Sequence, residues 1–152
     1  MIRVQREDFD PGAELASLTA GNRAIGGAVS FVGLVRDMVG QTLKAMTLEH
    51  YPGMAEEEIA RHAADAQARW PLSGLTVIHR FGRMTPGDNI VLVVTASAHR
   101  EAAFEAAQFM MDYLKTHAPF WKREERAAGD NWVEARDQDD AAAARWSQPA
   151  KR

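Results

Sequence analysis

The stretch NIVLVVTASAHREAAFEAAQFMMDYLKTH, residues 89–117, decides the fold. Its first part is nearly continuous in Val, Ile and Leu, which is typical of a strand in the centre of a sheet with both faces covered. In the part after residue 98, apolar side chains recur on one face at helical spacing: Ala103, Ala107, Met110 and Leu114. Pro119 restricts the preceding residue and ends this helix. The stretch therefore predicts a central strand that leads directly into a long helix.

The chain before this stretch contains three further runs of β-forming residues. LTVIHRFGRM at 75–84 predicts a strand, and TPGD at 85–88 predicts the turn that joins it to the central strand. GGAVSFVGLV at 26–35 and TLKAMTLEHY at 42–51 predict two more strands. Because only a short polar segment separates the last two, we predict that they form a long hairpin.

Helix signals occur on both sides of these strands. After a short first strand, IRVQ, Asp10 is a predicted N-cap with Pro11 at the first helical position. Residues 54–70 have acidic side chains in the first predicted turn and stop at Pro71. After the long helix the predicted order is extended FWKREER, turn AGDN, short strand WVEA and last helix DQDDAAAARW.

The order of these elements predicts the fold class. Strands and helices are interspersed but include hairpins, so we predict an α+β fold with a mixed or antiparallel sheet. Residues 1–146 are expected to form a single domain, and residues 147–152 a disordered tail.

The composition excludes several classes of protein. With 152 residues, 46% hydrophobic residues and a net charge of -3, the chain is typical of a globular domain without a basic field. Nucleic acid and anionic membrane are therefore not expected partners. The N-terminus is too polar for a signal peptide, and no apolar run approaches the ~20 residues of a membrane span. Cysteine is absent, which removes disulfides and thiolate chemistry. We expect a cytoplasmic protein without metal or cofactor.

Two lysines flank an apolar segment near the end of the long helix. Lys115 lies in the last helical turn, where a cation that complements the helix dipole is a sufficient explanation. Lys122 follows Phe120 and Trp121. Its stem can lie along aromatic surface with the ammonium in water, or it can be a lysine with a lowered pKa that acts as acid, base or nucleophile. These residues alone leave both readings open.

Three other residues are candidates for binding an anion. His99 and Arg100 stand where the central strand passes into the long helix, and the free N–H groups of a helix start bind anions well. A capping turn with a surface arginine is the alternative. Arg36 enters the loop after a predicted strand, where a solvated residue is the simpler interpretation.

Several motifs together resemble one family. TLEHYPGM at 47–54, SAHR at 97–100, MDYLKT at 111–116, APFWKRE at 118–124 and GD-WVEAR at 129–136 resemble the large, catalytic subunits of molybdopterin synthase. The resemblance extends from about residue 28 to residue 146. The run from Ser97 to Glu124 is its most specific part.

The resemblance implies a reaction and a partner. Enzymes of this family convert cyclic pyranopterin monophosphate (precursor Z) to molybdopterin by adding two sulfurs that form the dithiolene. The sulfur donor is the C-terminal thiocarboxylate of a small ubiquitin-like subunit with a Gly-Gly tail. The implied fold is an α/β-hammerhead type with an additional small β-subdomain. The implied assembly is a homodimer of the large subunit within a heterotetramer.

The resemblance also implies site residues. Lys115 and Lys122 are the implied catalytic residues, and Arg36, His99 and Arg100 join them in binding substrate. The positions that flank them are implied to line the pocket: Leu34, Val35, Arg123 and Glu124. Arg136 is a weaker candidate for an anion contact.

Two non-enzymatic interpretations compete with a sulfurtransferase. One is a module that binds a ubiquitin-like protein, with Phe120 and Trp121 as its apolar anchor. The other is a regulatory domain that senses an anion near His99.

The helix also raises a question of geometry, since a rise of ~1.5 Å per residue separates Arg100 from Lys115 by roughly 22 Å. We therefore predict that the site is shared between the two chains of a homodimer.

Overall fold

The computed structural model describes residues 1–147 apart from 38, 39, 41, 127, 128 and 134–136. Its strands are β1 (Ile2–Gln5), β2 (Gly27–Leu34), β3 (Leu43–His50), β4 (Leu72–Arg80), β5 (Gly82–Met84), β6 (Asn89–Ser97), β7 (Phe120–Arg126) and β8 (Gly129–Val133). Its helices are α1 (Pro11–Thr19), α2 (Met54–Arg69), α3 (Arg100–Thr116) and α4 (Asp137–Ala144), and a short 3-10 helix (Arg145–Ser147) follows α4.

The first sheet has the strand order β1-β4-β6-β2. β1 and β4 are parallel, whereas β4-β6 and β6-β2 are antiparallel. Side chains of β6 alternate between two cores: Val91 and Val93 pack with α2 and α3, and Leu92 and Val94 pack under α1. Both faces of this strand are therefore covered, as its continuous run of apolar residues predicts.

The second sheet is antiparallel in the order β5-β3-β7-β8. One of its faces carries Met46, Leu48 and Met84, which pack with Val35 and Leu43 in a separate core. The described residues thus form two sheets and four α-helices, which confirms the predicted α+β class.

The predicted hairpin of β2 with β3 is wrong. β2 pairs along its length with β6, whereas β3 pairs with β5 and β7 in the other sheet. The chain leaves the first sheet at Val35, whose N–H donates to the Asp88 carbonyl at 2.9 Å and whose carbonyl accepts from Gly87 N–H at 2.7 Å. Two adjacent β-rich runs look alike in sequence whether they pair with each other or belong to different sheets.

The helix ends follow from local side chains. The Asp10 carboxylate accepts from Ala13 N–H at 3.1 Å, which confirms the predicted N-cap of α1. α2 begins after Gly53, whose φ is 85° and whose N–H donates to the Glu56 carboxylate at 2.8 Å. The predicted AGDN turn is wrong in its last three residues, because β8 already begins at Gly129. Among the described helices, none is long and apolar enough to cross a membrane.

Candidate active site

The two predicted lysines lie where α3 ends and β7 begins. Lys115 is exposed in the last turn of α3, and Lys122 is half-buried on β7. Because strand side chains alternate, Lys122 shares its face of β7 with Phe120. Phe120 stacks on the ring of His79 with 3.9 Å between ring centroids, and the charge of Lys115 acts on the same imidazole. Both lysines are thereby brought to the neighbourhood of His79.

His79 is a buried residue of this site that the sequence interpretation missed. Its Nδ1 lies 2.9 Å from the Arg80 carbonyl oxygen. Burial, together with the positive charges of Lys115 and His50, lowers the pKa of His79 to about 4. The imidazole is therefore neutral at neutral pH. A signal was available: His79 is two residues after Val77, so strand alternation places both on the face toward α3.

The carboxylate of Glu124 contacts two cationic side chains of β7. Its carboxylate accepts from Arg126 Nε at 3.1 Å and from Nη2 at 2.5 Å, and it lies 3.9 Å from the Lys122 ammonium. The side chain of Glu124 is only 15% exposed, so solvent screens these contacts less than it screens surface pairs. This carboxylate restricts where the ammonium can lie.

Arg123 lies on the other face of β7. There it lines an open cavity of about 930 Å³, and its Nε is buried without a hydrogen-bond partner among the described residues. The cavity is lined mainly by residues of the second sheet and of the chain near α2: Thr47, Leu48, Glu49, His50, Pro52, Glu56, Arg83 and Glu125, with Val4, Arg6, Phe81 and Gly82. Lys122 and Arg123 therefore face different surroundings.

Three predicted site residues at the end of β2 and just after it differ in their exposure to solvent. Leu34 is 51% exposed, and Arg36 is also exposed. Val35 is buried in the second core, so its side chain is not available to a ligand. Asp37 then accepts a hydrogen bond from Leu43 N–H at 2.8 Å, which ties Asp37 to the start of β3.

His99 and Arg100 lie at the start of α3. His99 is the N-cap residue but makes no side-chain cap hydrogen bond, and both side chains are exposed. Their turn is packed against the start of β2: an ideal Cβ at Gly26 would lie 2.0 Å from the Ala98 carbonyl oxygen. The backbone here accepts only glycine without movement, so the turn is held in a fixed position.

The topology separates the predicted residues into two groups. Gly27 pairs with Ser97 next to the start of α3, whereas Leu34 pairs with Asn89 at the opposite end of the sheet. Arg36 follows Leu34, and α3 runs back along the sheet from Arg100. Arg36 therefore lies toward the lysine end of the helix, far from Arg100.

The lysine end can bind anions. Lys115, Lys122 and Arg36 lie toward this end of the fold, and the ring of Phe120, two residues before Lys122, is partly buried against the core. Charge contacts in such surroundings are stronger than those at an open surface. Arg136 lies outside the described residues. Among those that are described, no group of three or more His, Asp or Glu side chains is placed to hold a metal ion.

Comparisons with known proteins agree with this architecture. Residues 4–117 match the family described as MoaE protein. The curated relative from Mesorhizobium japonicum, a molybdopterin synthase catalytic subunit, is 63% identical over 147 residues, which cover 95% of this chain and 92% of the relative.

Solved structures share the fold. The molybdopterin biosynthesis MoaE protein from Burkholderia ambifaria superposes with a TM-score of 0.82 at 50% identity, over 98% of this chain and 99% of that one. A complex of subunits 1 and 2 of molybdopterin-converting factor from Helicobacter pylori gives a TM-score of 0.70 at 19% identity, over 90% and 91% of the two chains. At that identity the likeness concerns the fold alone.

Proposed function

Because this chain belongs to the MoaE protein family, we infer that it works as the catalytic subunit of a molybdopterin synthase. It is thus an enzyme of molybdenum cofactor biosynthesis that forms the dithiolene of molybdopterin by sulfur transfer. The sulfur source we propose is the C-terminal thiocarboxylate of a small ubiquitin-like subunit, and the proposed acceptor is cyclic pyranopterin monophosphate.

One observation carries the assignment of the site. The charge of Lys115 acts on the buried imidazole of His79, and Lys122 lies two residues after Phe120, whose ring stacks on the same imidazole. Both proposed substrates are anionic, since one carries a thiocarboxylate and the other a phosphate. Two ammonium groups beside apolar surface suit such ligands, and they can also donate and accept protons as sulfur adds and oxygen leaves.

Each predicted residue has a proposed role. Lys115 and Lys122 orient the thiocarboxylate and transfer protons. Arg36, together with Arg100 from the other chain of the proposed homodimer, holds the phosphate, because a guanidinium offers forked donors to such a group. Arg136 is proposed as a further phosphate contact, and His99 assists binding or proton movement. Glu124 keeps Lys122 in place through their ion pair.

The proposed partner subunit has an apolar surface to dock on. The relatives are named catalytic subunits, which suits an enzyme with a second kind of subunit. Tyr51 and Trp121 are exposed and meet edge to face with 5.0 Å between ring centroids, and Trp132 is exposed nearby on β8. We expect the partner's Gly-Gly tail to reach Lys122, since glycine lets backbone approach closely. Crosslinks from the tail that map far from residues 115–124 would exclude this arrangement.

The proposed assembly is a homodimer of this chain within a heterotetramer. The fold is proposed to be of the α/β-hammerhead type, with the second sheet as the additional β-subdomain, and residues 1–146 as one domain. The cytoplasmic location remains a prediction from sequence.

A reconstitution assay tests the function. The purified chain is mixed with a thiocarboxylated small subunit and precursor Z, and the dithiolene product is measured. A matched reaction with the partner ending in an ordinary carboxylate is the control. Product only with the thiocarboxylate supports a sulfurtransferase. Binding of the partner without product would instead favour the binding module, and binding of the phosphorylated pterin alone would favour the anion-sensing domain.

A further inference from the structure

We propose that His79 is a positioning residue for sulfur transfer, which fixes the start of β7 against the end of α3 and so sets the spacing of Lys115 and Lys122. This inference rests on the proposed function through the roles of the two lysines. His79 itself touches neither substrate in this proposal. It acts through Phe120, two residues before Lys122.

The contact between His79 and Phe120 joins the two sheets. His79 is held rigidly in the first sheet, because β4 lies between β1 and β6 and pairs His79 with Val4 on one side and Val91 on the other. Phe120 begins β7 in the second sheet. Their rings lie 3.9 Å apart at an interplanar angle of 16°. The stack therefore fixes the position of β7 relative to the first sheet.

The same stack also restricts the position of the short connection between α3 and β7. Only residues 117–119 separate the end of the helix from β7. His50 of β3 lies on the other side of this connection, with its ring 5.9 Å from that of Phe120, and the two residues are register partners. Phe120 is thus held by imidazoles from both sheets, and β7 cannot slide without breaking these contacts.

The protonation state of His79 suits this role. The Nδ1 contact with the Arg80 carbonyl requires a proton on Nδ1, which leaves Nε2 as an acceptor in the neutral ring. Burial is the main cause of the low pKa of His79, and the electrostatic effects of Lys115 and His50 lower it further, so the ring stays neutral. A neutral ring can lie close to a lysine without charge repulsion, whereas a third cation would push the lysine away.

The residue before His79 on β4 supplies a matched control. Ile78 is fully buried on the opposite face of β4, in the core under α1. It packs there with Phe9, Leu92 and Val94, none of which is on α3 or β7. Truncation of Ile78 loosens the first sheet, but only the change at His79 should affect the lysines.

The experiment compares His79→Ala, His79→Phe, Phe120→Leu and Ile78→Ala in the reconstituted reaction. Each variant is assayed well below its unfolding temperature for kcat and for KM of precursor Z. We expect His79→Ala to lower kcat by about tenfold to 100-fold, because misplacement by about 1 Å has effects of this size. KM should change little, since neither of the proposed phosphate contacts Arg36 and Arg100 lies on β7. His79→Phe restores a flat, neutral ring and should recover most of kcat.

Several outcomes would overturn the proposal. A folded His79→Ala variant with normal kcat does so, and so does a His79→Phe variant as slow as His79→Ala, since ring position would then not be what matters. An equal loss of kcat in Ile78→Ala would point to general loosening of the core. If His79→Ala does not fold, Phe120→Leu decides by the same criterion, with a kcat loss expected. Normal turnover in Lys122→Ala would instead contradict the proposed function, so the two failures are distinguishable.

Discussion

Arg100 begins α3 and Lys115 lies in its last turn, so these two side chains leave one helix roughly 22 Å apart. An extended arginine or lysine side chain spans only part of that distance. One small pterin substrate cannot be held by both residues of the same chain. A twofold dimer resolves the conflict, because His99 and Arg100 of one chain can complete the site at Lys115 and Lys122 of the other.

Complementation tests this shared site. Arg100→Ala and Lys122→Ala are each expected to be inactive alone. When the two variants are mixed and their subunits exchange, heterodimers should regain one intact site each, because one chain then supplies Arg100 and the other Lys122. Turnover of the mixture measures the recovery. Native mass spectrometry verifies the exchange, and no recovery despite exchange would exclude the shared site.

Removal of the lysine ammonium groups should affect chemistry rather than folding. We expect Lys122→Ala to abolish sulfur transfer and Lys115→Ala to reduce it strongly, beyond the effect of a lost helix-dipole contact. Both side chains are at least partly exposed, so the free energy of unfolding should change by less than about 1 kcal/mol. Lys44→Ala is the matched control, since Lys44 is an exposed strand lysine. Near-normal turnover in both site variants would support the simpler interpretations, in which Lys115 complements the helix dipole and Lys122 is a side chain with its ammonium in water.

The buried imidazole of His79 should make folding stability depend on pH. Its pKa is lowered from 6.5 to about 4 in the folded chain, so between these values the unfolded chain binds more protons. Stability is therefore full above pH 6.5 and is lost as pH falls toward 4, by about 3 kcal/mol from this residue. Burial also lowers the pKa of His62, which acts in the same direction.

Chemical denaturation at a series of pH values measures this dependence. His79→Phe should flatten the curve between pH 6.5 and 4, because the group that takes up the proton on unfolding is gone. Carboxylates remain in both proteins and cancel in the comparison. Identical curves for the two proteins would show that His79 is not the group responsible.

Local signals predicted most elements but not their partners. The run of Val, Ile and Leu in β6 and the helical spacing of α3 identified the centre of the fold, since both patterns report burial directly. The assignment of β2 and β3 to different sheets could not be predicted, because strand pairing depends on contacts with residues far along the chain.

In the candidate site, too, individual residues could be predicted from the sequence but their contacts could not. Resemblance to a family identified Lys115 and Lys122, but composition and spacing left the simpler interpretations open. The sequence interpretation did not include His79 among the site residues. Its contact with Phe120 arises from the packing of one sheet against another, and no local pattern encodes that distance.

Gly26 should be required for the position of the His99–Arg100 turn. A Cβ at this position would lie 2.0 Å from the Ala98 carbonyl oxygen, so Gly26→Ala must displace the backbone just before His99. We expect weaker binding of precursor Z and a stability loss of about 1–3 kcal/mol. Calorimetric titration and denaturant unfolding measure the two effects. Gly12→Ala is the control, because its Cβ would meet only a carboxylate oxygen of Asp10 at 3.4 Å. Unchanged binding in folded Gly26→Ala would contradict the prediction.

The last prediction concerns the C-terminal end, where Trp146 fastens the chain to α3. Its indole N–H donates to the buried Asp112 carboxylate at 2.5 Å, and its ring packs edge to face with Trp70 and Phe109, at 5.6 Å to each ring centroid. Arg145 adds an ion pair to the same carboxylate at 3.3 Å. Asp112 is three residues before Lys115 on α3, so this attachment steadies the helix end that carries a proposed catalytic group.

Truncation separates this attachment from the tail. A chain that ends at Ser147 should unfold at the same denaturant concentration as the full chain, because Trp146 and its contacts remain. Trp146→Ala should lower the free energy of unfolding by about 2 kcal/mol, since it removes half-buried aromatic surface and leaves Asp112 without its indole donor. Trp132→Ala is the matched control, because the Trp132 side chain is 59% exposed. Equal stability of the Trp146 and Trp132 variants would show that the contacts of Trp146 do not hold the C-terminal segment to α3.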